Sequence, residues 1–146
     1  MSAWNDFDLD TKVRDALTTV PIVNEAGHHY GRAWITTYQL AIKIHELNED
    51  LAARLNLKVG GLGTGEQSSL AQYLARQISA QIKRLGNGYP IEGAFLSGIA
   101  LTELSFKMHD GSSLTSSVTG SGYDLSLFRL SATGTQAAAT PQVTSS

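Results

Sequence analysis

A chain of 146 residues fits one domain, long enough to bury a core without covalent staples. It has no cysteine, which excludes disulfides, Cys-ligated zinc, iron–sulfur clusters and thiol chemistry. The net charge of −2 argues against a strongly basic nucleic-acid binder, and a charged fraction of 16% leaves a surface that is easily desolvated against another protein.

The first twenty residues carry Asp6, Asp8, Asp10 and Asp15 and no apolar run, unlike a secretory leader. Nowhere does the chain approach the ~20 apolar residues that cross a membrane. The expectation is a cytoplasmic protein with no membrane contact. Trp4, Phe7 and Leu9 are apolar anchors. Asp10 or Thr11 can cap a helix bearing Val13 and Leu17, and Pro21 stops it. Ile22 and Val23 suit a short strand, and Asn24 to Gly27 a turn.

Thr36 and Gln39 form a capping-box pair that opens the next helix. Leu40, Ile44, Leu47, Leu51 and Leu55 follow at helical spacing. The helix either runs to Asn56 or breaks at Asn48, where Asn48 would cap a second helix. Gly60, Gly61, Gly63 and Gly65 make a loop. Ser69 and Gln72 repeat the capping-box pair and open a helix to Leu85. Its apolar face is Leu70, Leu74, Ile78, Ile82 and Leu85; its polar face is Ser69, Gln72, Arg76, Ser79 and Lys83. Gly86 and Gly88 end it.

Alternation from Leu101 to Met108 predicts a strand, Asp110–Gly111 a tight turn, and Leu114 to Thr119 the return strand. Gly120 to Gly122 turns again before a strand from Tyr123 to Leu130. The predicted fold is α+β: a helical N-terminal half packed on a three-stranded antiparallel β-meander. Residues 1–130 form the domain. Residues 131–146 are Ser, Thr, Ala, Gln and Gly with one Pro, a composition expected of a disordered tail.

Four groups invite a chemical reading. Gly61, Gly63 and Gly65 precede a helix N-terminus, which favours an anion. Glu66 stands where a phosphate-binding loop has its lysine, so a plain connector is the better expectation. The order of helices followed by a hairpin is that of a winged helix-turn-helix. In that arrangement Gln67, Ser69, Gln72, Arg76, Lys83 and Arg84 would meet DNA or a protein partner, the amides and hydroxyl reading base edges and the cations reading guanine or phosphate. Such a DNA face would also gather Lys12 and Arg32. The rival reading is a protein-interaction or homo-oligomeric assembly subunit that acts through Trp4, Phe7 and Trp34 and the tail. His28 and His29 are adjacent, with His45 and His109 elsewhere, and none has a carboxylate at ligand spacing. No catalytic residue, cofactor or metal is expected, and the function anticipated is non-catalytic binding.

Overall fold

The helices begin and end where side chains replace missing backbone partners. The structure is a computed structural model that describes residues 3–21, 32–60, 69–115 and 124–131. In chain order these form α1 (Ala3–Asp6), α2 (Leu9–Thr18), β1 (Ile35–Thr36), α3 (Thr37–Leu47), α4 (Leu51–Leu55), α5 (Leu70–Leu85), β2 (Ile91–Leu96), β3 (Ser105–Lys107), β4 (Ser113–Thr115) and β5 (Leu125–Leu130). The α+β class, the helical first half and an antiparallel three-stranded sheet are all present. The segment with Ile22 and Val23, the glycines at 61, 63 and 65, the 120–122 turn and the tail beyond Ser131 lie outside the described residues.

Helix α2 starts earlier than Asp10 or Thr11 would place it. Asp8 precedes its first turn in the left-handed region (φ 52°), and its carboxylate accepts from the Thr11 hydroxyl at 3.0 Å. At α3 the capping box is complete. The Gln39 amide donates to Thr36 Oγ1 at 3.1 Å, and the Thr36 amide donates to Gln39 Oε1 at 2.7 Å. The helix breaks at Asn48, the second of the two expected outcomes. Asn48 ends α3 and does not open α4: its backbone N–H and its Nδ2 both donate to the Ile44 carbonyl. Of the predicted stripe, Leu47 at the end of α3 is exposed while Leu51 at the start of α4 is buried.

Helix α5 matches its predicted span, with the Ser69 hydroxyl accepting from the Gln72 amide at 3.1 Å. Its start is tied to the end of the preceding segment, since Leu70 and Ala71 donate to the carbonyls of Lys58 and Val59. Gly60 allows that approach. It sits at φ 148°, and a Cβ there would meet the Ala71 methyl at 3.0 Å.

The consecutive meander is corrected. The strand order is β1-β5-β2, every pair antiparallel, and the Asp110–Gly111 hairpin forms a separate two-stranded sheet, β3-β4. Phe128 pairs with Ile35 on one side and Gly93 on the other. A tight turn makes neighbours of β3 and β4. The third predicted strand instead lies between β2 and β1, where its Leu125, Phe128 and Leu130 are buried. The β3-β4 hairpin packs by its side chains: Leu114 is buried, and Phe106 stacks on Tyr38 of α3 with ring centres 5.8 Å apart. Leu9, Val13, Leu17, Leu40, Ile44, Leu51, Leu70, Leu74 and Ile78 complete the core.

Two polar contacts tie the ends of this arrangement. Arg32, nearly buried, donates to the carbonyls of Thr18, the last residue of α2, and of Val20 just beyond it, where a cation complements the helix dipole. The Tyr89 hydroxyl donates to Asp10 at 2.9 Å and so joins the start of β2 to α2.

Urea unfolding reads the worth of this packing at two positions. Phe128→Ala costs about 3–5 kcal/mol, the range for a buried aromatic, and Thr36→Ala costs about 1 kcal/mol, the worth of a cap. A Phe128→Ala loss no larger than that of Thr36→Ala contradicts the central place of β5. Burial, then the Asp10 charge and hydrogen bond, push the Tyr89 phenol well above its ordinary value. The folded state therefore keeps a proton that the unfolded chain releases near pH 10, at about the ordinary phenol pKa. Stability is full below that pH and falls as pH rises beyond it. Tyr89→Phe flattens that alkaline fall, and an unchanged slope refutes the contact.

Candidate nucleic-acid interface

Helix α5 has two faces because its apolar residues recur every three or four positions. Leu70, Ala71, Leu74 and Ile78 are buried, and Ile82 packs partly against the core. The opposite stripe runs through Gln72, Arg76, Ser79, Ala80 and Lys83. Arg76, Ser79, Ala80, Lys83 and Arg84 are exposed, and Gln72 is half-buried. Arg84 donates to Gln81 at 2.6 Å. The helix contains no Asp or Glu. Arg76 and Lys83 stand two turns apart, about 10 Å along the axis.

Ser69 is set apart from that stripe. It is 2% exposed and its hydroxyl is committed to the cap, so it positions the helix and presents nothing outward. Gln67 lies outside the described residues. The wider gathering of cations does not form. Arg32 is held against the end of α2, and Lys12 Nζ donates to the Phe7 carbonyl at 2.6 Å.

The N-terminal aromatics divide. Trp4 is 6% exposed and belongs to the core, so it offers no surface to a partner. Phe7 is half-buried, with the Arg54 guanidinium 4.9 Å from its ring centre. Trp34 is half-buried under the Arg129 guanidinium at 4.2 Å. Arg129 also binds Glu92 at 2.7 Å and donates to the Arg32 carbonyl. Both aromatics are thus covered on one face by a cation.

Two features are not announced by residue spacing. His45 and His109 meet, with ring centres 6.1 Å apart, and Glu49 approaches His109 at 3.9 Å. Folding the hairpin onto α3 brings them together. Among the described residues no group of three His, Cys, Asp or Glu is placed to hold a metal. The second feature is apolar exposure on and after β2, where Phe95 is 72% and Ile99 83% exposed. Its one signal in the sequence is the uncharged run from Gly93 to Thr102. A groove of about 300 Å³ lies between α5 and the sheet, with Ile82, Lys83, Gly93, Phe95 and Phe128 among the residues that line it.

Among the described residues no helix is long and apolar enough to cross a membrane. Comparisons with protein-family models, curated proteins and solved structures return no match to this chain.

The committed hydroxyl of Ser69 yields a separable prediction. Ser69→Ala lowers stability by about 1 kcal/mol through loss of the cap, whereas Ser79→Ala, on the outward stripe, changes it by less than about 0.5 kcal/mol. Chemical denaturation of both variants checks this. Equal losses contradict the assignment of Ser69 as a buried cap.

Proposed function

We propose that this domain is a non-catalytic binding module of winged-helix type that lays α5 against duplex DNA. The observation that carries the reading is the outward face of α5. In a chain of net charge −2, this helix holds Arg76, Lys83 and Arg84, several glutamines and no acid. The unfavourable bulk charge comes from elsewhere, since all 13 acidic residues lie outside this helix, four of them before residue 16. A helix 10–12 Å across fits a major groove about 12 Å wide. Arg76 and Lys83 suit guanine or phosphate, and Gln72 suits adenine.

Topology supports the same reading. Two helices, the short β1, two further helices, the candidate recognition helix α5 and then four strands, of which β2 and β5 join β1 in the sheet order β1-β5-β2, contain the helix–strand–helices–strands order of a winged helix. The connection between β2 and β5 stands where the wing would. Part of it, the β3-β4 hairpin, packs back on α3, so α5 carries most of the contact in this proposal.

Fluorescence anisotropy with a mixed-sequence duplex tests it. The domain binds at about 50 mM salt, and affinity falls steeply as salt rises. Arg76→Ala with Lys83→Ala weakens binding and reduces the slope of log K against log salt by about 0.9 for each phosphate no longer neutralised. Far-UV circular dichroism confirms an intact helix. Absence of binding at low salt, or binding indifferent to the double substitution, overturns the proposal.

A further inference from the structure

Among the described residues β2 has β5 on one side and no strand on the other. Six residues of edge strand are long enough to template another strand. Edges of this kind are usually blunted by lysine, proline, a bulge or an inward charge. Here the sequence is Ile-Glu-Gly-Ala-Phe-Leu, and its single charge, Glu92, is already paired with Arg129 at 2.7 Å.

The register fixes which side chains share a face. Ile91, Gly93 and Phe95 lie opposite Leu130, Phe128 and Ser126, so these six point to the side covered by α5. Gly93 is packed closely on that side: a Cβ there would meet Ile82 Cδ1 at 3.1 Å and Phe128 at 3.6 Å. Next to this contact a groove of about 300 Å³, which Phe95 itself helps to line, lies between the helix and the sheet. A cavity of about 150 Å³ takes a benzene ring, so this groove has room for a phenyl group. Two residues along the same face stands Phe95, 72% exposed.

We infer that β2 pairs antiparallel with β2 of a second copy, about a two-fold axis through Ala94. Residues opposite one another in an antiparallel pair share a face. Pairing Ala94 with its own mate sets Gly93 opposite Phe95 of the second copy, and Glu92 opposite Leu96. Each phenyl ring then enters the other copy's groove alongside that copy's own Phe95 and Lys83, whose ammonium suits an aromatic face. One strand thus carries both the knob and the hole, which is the self-complementarity a two-fold interface needs. The edge is also electrically suited to itself, since Gly93 to Thr102 carries no charge to repel its copy. Two buried aromatics supply about 300–500 Å², a third to a half of the roughly 1,000 Å² a specific interface clears. Leu96 of each copy adds to it. The result is a six-stranded sheet with both α5 helices on one side, whatever those helices bind.

Sedimentation equilibrium and cysteine cross-linking test the inference. The expected mass is twice the 15.6 kDa of the chain. Phe95→Asp returns it to 15.6 kDa with unchanged circular dichroism, since the side chain is exposed within one copy. The chain has no cysteine, so introduced thiols report alone. Mates opposite each other lie about 4.5–5.5 Å apart at Cα, within disulfide reach. Ala94→Cys therefore oxidises to a covalent dimer. Leu96→Cys does not, because its own mate is displaced by about 13 Å along the strand. A wild-type mass of 15.6 kDa, a dimer untouched by Phe95→Asp, or equal cross-linking of the two cysteine variants overturns the proposal.

Discussion

Strand β5 sits between two partners that come from distant parts of the chain, and the rest of the structure depends on that seat. Ile35 lies on one side of Phe128 and Gly93 on the other. Closing contacts this remote costs loop entropy before any strand pairs, although the cost grows only logarithmically with length. Burial repays it. Phe128 is 2% exposed, with Leu125 and Leu130 also in the core. Gly93 belongs to the same constraint, because a Cβ there would stand 3.1 Å from Ile82 Cδ1, closer than the packing of α5 on the sheet now leaves room for.

Once β5 is seated, the outward surfaces follow. Helix α5 must turn Leu70, Leu74 and Ile78 to the core, so Arg76 and Lys83 turn to solvent. Strand β2 becomes an edge, and Phe95 lies beyond the cover of the helix. The basic stripe and the apolar edge meet at Lys83, which belongs to the outward face of α5 and also lines the groove. A dimer formed through β2 would present two α5 helices from one side of a continuous sheet. The two proposals stand on different observations, and either can fail alone.

The helices were legible because their signals are local. The capping residues Thr36 and Ser69 and the stripe from Leu70 to Ile78 act within one or two turns, and the structure keeps them. The Asp110–Gly111 hairpin was equally local. The sheet was not, because its partners are fixed by burial across the whole chain. Ile91–Leu96 lacks alternation and contains a glycine, which argues against a strand when read alone. Its identity as a strand comes from β5 alongside it. The two residues of β1 are too few for any periodicity. In the candidate site the outward character of Arg76 and Lys83 was readable from helical phase. The burial of Trp4 and Ser69 and the meeting of His45 with His109 were not, since each depends on a neighbouring element.

The seat of β5 is the claim from which the outward helix and the open edge both descend. Cross-strand backbone NOEs measured on the labelled protein address it most directly. Contacts are expected from Phe128 to both Ile35 and Gly93, and from Leu114 to Phe106 across the separate hairpin. Contacts joining the 113–115 strand to the 125–130 strand, in place of those from Phe128 to Ile35 and Gly93, would contradict it.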